Sequence, residues 1–148
     1  LREHEKAQEY FLAAMEVAGH DVPDKEDLWN IGIAKKNLGQ YEEALPMLVK
    51  ALEDWKVEDP TDDVTIAKLY DTTGSCYDLM GRFEEAVYDL TQARMLFGRS
   101  IGAESPLYGS ACERLTKALV HAGRVEEGFD RLEETLLNMA EKDKRRNG

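Results

Sequence analysis

Cysteine occurs twice and histidine three times in 148 residues, too few to assemble most metal or thiol chemistry. Cys76 and Cys112 form no CxxC pair, which excludes a zinc ribbon or a thioredoxin-type redox motif. Both fall in helical patterns. They read as small buried apolar residues in a reducing compartment, so an intracellular, cytoplasmic setting is expected rather than a disulfide framework. His4, His20 and His121 are scattered along the chain. No HExxH, P-loop or GxGxxG is present, so no catalytic, cofactor or metal site is expected, and the chain does not read as an enzyme. No apolar run approaches the roughly 18 residues of a membrane helix, and no leader has the charged-then-apolar order of a signal peptide. Positive charge is also scarce. There are 19 Lys and Arg against 30 Asp and Glu, a net charge of −11. That leaves no basic face for nucleic acid and argues against anionic membranes. The exception is a short run, Lys142, Lys144, Arg145 and Arg146, which reads as a solvated, frayed end, with residues 143–148 disordered.

What the chain has in quantity is helical pattern. It is 43% hydrophobic and 33% charged, a foldable balance. "LGQYEEAL" at 38–45, "MGRFEEAV" at 80–87 and "AGRVEEGF" at 122–129 repeat one another. Gly39, Gly81 and Gly123 are 42 residues apart. Tyr41, Phe83 and Val125 keep the same phase, as do Ala44, Ala86 and Gly128, and Leu48, Leu90 and Leu132. A fixed period of this size marks stacked repeats. Each unit reads as two helices. Leu28, Ile31 and Leu38 precede the glycine at helical spacing, and Ala44, Leu48 and Ala51 follow it. The glycine fits a positive-φ helix C-cap. The Glu-Glu pair falls in the first turn of the second helix, where it opposes the positive end of the dipole. The small residue, Ala44 or Ala86, permits close approach within the hairpin. Pro46 predicts a kink or a late helix start.

These residues resemble the tetratricopeptide repeat. Leu28, Ile31-Gly32, Gly39, Tyr41, Ala44, Leu48 and Ala51 occupy the family's positions in the first full unit. Tyr70, Thr73-Gly74, Gly81, Phe83, Ala86, Leu90 and Ala93 occupy them in the second. The third is looser, with Cys112, Leu115-Thr116, Gly123, Val125, Gly128, Leu132 and Thr135. The usual period is about 34; 42 is similar to the repeats of kinesin light chains, above all in "DDVTIAKLYDTTGSCYDLMGRFEEAV". The resemblance implies an all-α fold, a right-handed superhelical stack of antiparallel helix hairpins with about seven helices. The expected division is a second helix of a truncated repeat at 1–19, repeats at 20–61, 62–103 and 104–142, then the basic tail. "LREHEKA" at 1–7 aligns imperfectly with "LGQYEEA" and supports the truncated unit.

The family also implies recognition through the first helix of each hairpin, which lines the concave side. Carried over by position, the groove residues are Glu26, Trp29, Ile33, Lys36 and Asn37, then Lys68, Asp71, Thr72, Ser75 and Asp78, then Ser110, Glu113, Arg114, Lys117 and His121. Trp29 reads either as the groove's aromatic anchor or as packing against the N-terminal helix. Asp71, Asp78 and Glu113 read either as an acidic stripe or as solubilising surface. On the functional reading the partner is a protein or peptide with Lys or Arg and an apolar anchor. Lys35 stands where the family prefers a large apolar residue and is expected to lie along the groove. The lysine and asparagine clamp for a terminal carboxylate is not reproduced, because Trp29, Asp71 and Glu113 occupy its places. Of the asparagine pairs of kinesin light chains only Asn30 survives, so cargo binding does not transfer. Two other readings stay open: a regulatory or sensor repeat region of a larger multidomain protein, and end-to-end self-association through exposed terminal helices.

Overall fold

A computed structural model of the chain describes residue 16 and residues 23–148. Six helices follow one another: α1 Lys25–Asn37, α2 Tyr41–Glu58, α3 Asp63–Leu79, α4 Phe83–Ser100, α5 Pro106–His121 and α6 Val125–Asn147. Among the described residues there is no strand. The helix expected over 1–19 lies outside the described residues, so six of the expected seven are seen.

The first helix of each hairpin starts on a side-chain cap. Asp24 accepts from the Asp27 amide, Asp62 from Thr65, and Ser105 from Leu107 with Pro106 at the first helical position. These caps satisfy amides that have no partner within the helix. The second helices have no such side-chain bond. Each carries its Glu-Glu pair in the first turn instead: Glu42 and Glu43, Glu84 and Glu85, Glu126 and Glu127. The turn between the two helices is written three times in the same bonds. Gly39, Gly81 and Gly123 have φ of 77°, 78° and 79°. The residue after each donates its amide five positions back, Gln40 to Lys35, Arg82 to Tyr77 and Arg124 to Leu119, at 2.8–2.9 Å. This is the Schellman arrangement, and it fixes where the chain reverses.

Two local expectations are corrected. α2 begins at Tyr41 and holds Pro46 inside it, so there is no late start. The missing amide falls only two turns in, where one backbone bond is lost. Residues 143–147, read as disordered, continue α6. Lys144, Arg145 and Arg146 lie in its last turn, where cations oppose the negative end of the helix dipole and both residue types favour helix.

Hairpins close on glycine. A Cβ on Gly32 would lie 2.7 Å from Leu48, and one on Gly74 would lie 2.7 Å from Leu90. Leu48 and Leu90 are 0% and 1% exposed. The third hairpin exchanges the sizes, with Thr116 in place of the first-helix glycine and Gly128 in place of Ala44 and Ala86. A Cβ on Gly128 would lie 3.5 Å from the Thr116 carbonyl oxygen and 3.3 Å from Val120. Hairpins then stack. Met47, Ala51, Leu52 and Trp55 of α2 pack on Ile66, Ala67 and Leu69 of α3. Val87 and Leu90 of α4 pack on Leu115, Ala118 and Leu119 of α5. One core cluster runs from Leu28 in α1 to Ala111 in α5, so each hairpin buries its oily side on the next.

Candidate binding face

The stripe carried over to the first helices lands on α1, α3 and α5, and an arginine–aspartate ion pair and a histidine–aspartate contact tie α3 to α5. Arg114 donates from Nε and Nη2 to the two carboxylate oxygens of Asp71 at 2.9 and 2.6 Å. His121 Nδ1 lies 2.9 Å from Asp78 Oδ1, and its ring stacks at 5.3 Å on Phe83. Both pairs join residues 43 apart, one more than the repeat. They are two rungs of one ladder, half-shielded from solvent, with the acids less exposed than the bases.

This pairing changes the expected acidic stripe. Asp71 is neutralised from within the array by Arg114 in the bidentate fork that makes arginine–carboxylate pairs strong, and Asp78 is engaged by the His121 ring. Glu113, the repeat equivalent of Asp71, is exposed, with Lys117 Nζ at 3.9 Å. Glu26, Asn37 and Lys68 are exposed, while Ile33, Lys36, Thr72, Ser75 and Ser110 are half-buried. The hydroxyls of Thr72 and Ser75 donate to the Lys68 and Asp71 carbonyls one turn back at 2.7 and 2.8 Å, which leaves their oxygens able to accept.

Trp29 is engaged in the core. Its ring meets Trp55 edge to face at 5.5 Å, and it packs against two of the hydrophobic clusters. Its indole nitrogen is buried with no hydrogen-bond partner among the described residues. Lys25 covers the other partner of that pair, 4.7 Å over the Trp55 ring, while bonding Glu58 at 2.8 Å and also Asp59. These acids hold the Lys25 ammonium well above its usual range. Trp55 Nε1 in turn donates to Asp62 at 3.1 Å. Lys35 does not run along the groove. It reaches Glu43 at 2.5 Å, across its own hairpin.

Sequence reasoning missed a second concavity. A cleft of about 570 Å³ opens between the start of α5 and the far half of α6, lined by Tyr108, Ser110, Glu113, Thr135, Met139 and Lys142 among others. The repeat phase could have located it: it is the slot where the inner hairpins receive the next first helix. The thiols stay out of both surfaces. Cys76 and Cys112 are free and buried, and desolvation pushes the Cys76 thiol up to about 11. Among the described residues, no group of three or more His, Cys, Asp or Glu could hold a metal ion, and no helix is long and apolar enough to cross a membrane.

Stacked helix hairpins with glycine-closed turns, knitted along their first helices, define an α-solenoid. The model of the tetratricopeptide repeat family matches residues 24–97, half of the chain, and the chain belongs to that family. Two solved structures share the fold. BtubC (BKLC) from P. vanneervenii aligns with a TM-score of 0.75 at 19% identity, over 96% of this chain and 58% of its own length. The nearly identical TPR-like repeats of a Podosopora anserina protein described as a kinesin light chain align with a TM-score of 0.74 at 18% identity, over 95% and 74%. At these identities the likeness is one of fold, and this chain spans little more than half of BtubC. No curated protein matches the sequence.

Proposed function

We propose that the chain is a protein–protein interaction scaffold that holds a peptide segment of a partner along α1, α3 and α5. Tetratricopeptide repeats are in general protein-binding modules, and this supports the class. The observation that carries the site is the Asp71–Arg114 and Asp78–His121 ladder. It locks two first helices side by side with Lys68, Thr72, Ser75 and Lys117 beside it, so a ligand meets a preformed strip with little left to order. The pairing of Asp71 with Arg114 removes part of the reason for a strongly basic ligand. Glu113 and Glu26 remain to receive a Lys or Arg, and the net charge of −11 steers such a segment at long range. Trp29 supports the strip from behind rather than serving as its anchor.

Selection from a displayed random-peptide library tests this. Wild type should enrich a family of sequences, and a Thr72→Arg, Ser75→Arg variant should lose it while its far-ultraviolet circular dichroism is unchanged. Enrichment of nothing, or of the same sequences by both proteins, would place binding elsewhere.

A further inference from the structure

The last helix presents an apolar seam that the inner helices hide. Val125, Phe129, Leu132, Leu136 and Met139 are 43%, 65%, 41%, 56% and 54% exposed. Their spacing alternates four and three, the rhythm of a helix-pairing seam. Gly128, Arg131, Thr135 and Lys142 are less exposed and mark the side turned to α5. At 100° per residue the apolar seam lies roughly 100° around from that side.

The 42-residue phase identifies the seam. Leu45, Leu48 and Trp55 on α2, and Val87, Leu90 and Phe97 on α4, are the equivalents of Phe129, Leu132 and Met139. All six are buried, at 7% exposure or less. Leu48 and Leu90 fill the Gly32 and Gly74 notches of their own hairpins, and the rest of the cover comes from the next first helix, α3 or α5, which a short turn sets antiparallel to the helix it covers. α6 has no such turn. Residues 143–147 are equivalent to the turns at 59–63 and 101–105, yet they contain neither Gly nor Pro and remain helical.

Charge along α6 says what can take the vacant place. Glu126, Glu127, Asp130, Glu133 and Glu134 outweigh Arg131 in its first half, and Lys142, Lys144, Arg145 and Arg146 outweigh Glu141 and Asp143 at its end. A parallel copy of this helix would set acid on acid and base on base. An antiparallel copy sets each end on its opposite, in the orientation the inner helices already use.

We propose that α6 pairs antiparallel with α6 of a second copy of this chain, forming a twofold dimer. In the register that sets Leu132 on Leu136, Phe129 meets Met139 and Glu126 comes beside Lys144 on the flank away from α5, and twofold symmetry makes each contact twice. One helix face falls at or below the standard interface of about 800 Å² per partner. The pairing leaves the α1–α3–α5 strip free and does not depend on the peptide reading.

Sedimentation equilibrium of the 148-residue chain from low to high micromolar concentration reads the result. Wild type should dimerise, and Leu132→Glu with Leu136→Glu should weaken dimerisation at least tenfold with unchanged circular dichroism, since both side chains face solvent. Orientation is read by oxidation. Phe129→Cys with Met139→Cys should cross-link two copies, and Phe129→Cys alone should not, because like positions lie about 15 Å apart along the axis. The native thiols are buried and do not compete. A wild type that stays monomeric at high micromolar concentration overturns the proposal and gives the seam to a further repeat or another protein. Equal dimerisation by the glutamate variant, or efficient cross-linking by Phe129→Cys alone, overturns it as well.

Discussion

Removing one buried charge should make this protein more stable. Asp89 of α4 is 9% exposed, inside the second hairpin. Its Oδ2 lies 2.7 Å from Thr73 Oγ1, which is also 3.1 Å from the Tyr70 carbonyl oxygen. The hydroxyl has one proton. With Asp89 ionised, that proton serves the carboxylate and the Tyr70 contact goes unmade. With Asp89 protonated, the carboxyl donates to Thr73 and Thr73 donates to Tyr70. Burial and the nearby Glu85 raise the carboxyl to about 6, against the opposing pull of the Thr73 bond and of Lys56 from the preceding hairpin. The folded chain therefore holds this proton more tightly than the unfolded chain, in which an aspartate titrates near 3.9. The resulting stabilisation is complete below about pH 4 and is lost as pH rises through 6. Two units correspond to about 3 kcal/mol, a sizeable part of the roughly 5–15 kcal/mol that holds a domain folded. Asp89→Asn keeps an oxygen for Thr73 and removes the ionisation. Urea unfolding followed by circular dichroism, with wild type and variant compared at each pH from about 4 to 7, should show the variant gaining relative stability as pH rises. It should exceed wild type at neutral pH by about 1–3 kcal/mol. A variant less stable than wild type at pH 7, or a difference that does not change with pH, would refute the account of a strained carboxylate.

Two further outcomes check the packing and the ladder. Gly74→Ala puts a Cβ 2.7 Å from Leu90 Cγ and 3.2 Å from its backbone nitrogen, so it should cost about 1–3 kcal/mol. Gly109→Ala meets nothing within 4 Å and should gain roughly 0.5–1 kcal/mol through helix propensity; equal thermal shifts would mean the hairpin is not closed on Gly74. A double-mutant cycle on Asp71→Ala and Arg114→Ala should give a coupling of about 1 kcal/mol, and strictly additive denaturation midpoints would remove the ladder from the energetics.

Local chemistry was legible and cross-repeat chemistry was not. The three glycines announced their positive φ because each stands just past a helical pattern, and only glycine takes that conformation without strain. The Glu-Glu pairs and the Asp62 and Ser105 caps are readable for the same reason: they answer to backbone groups one turn away. The contacts of Lys35, Trp29 and the aspartates were not legible because their partners sit in another helix. A phase argument puts Asp71 on the stripe, but it does not say that Arg114 lies across from it, since the offset is 43 and not 42. That extra residue is set by the stagger of α5 on α3, which depends on packing. Disorder was expected for residues 143–148 from their charge and their place at the end of the sequence, and neither outweighs the helix propensity of Lys and Arg next to a helix C-terminus.

In the third repeat the small residue of the hairpin contact changes helix. A Gly32 or Gly74 equivalent would leave room for a leucine from the facing helix, but position 116 is Thr. The facing helix answers with Gly128 where the other repeats have alanine, and the close approach moves from the leucine to the Thr116 carbonyl. The hairpin thus moves its small residue to the other side of the contact. The exchange also frees Leu132, which fills no glycine notch in its own hairpin and is 41% exposed. A repeat whose second-helix leucine is not needed inside can offer it outside. The same substitution that makes the third unit look degenerate as a repeat therefore adds Leu132 to the apolar side chains that α6 shows to solvent.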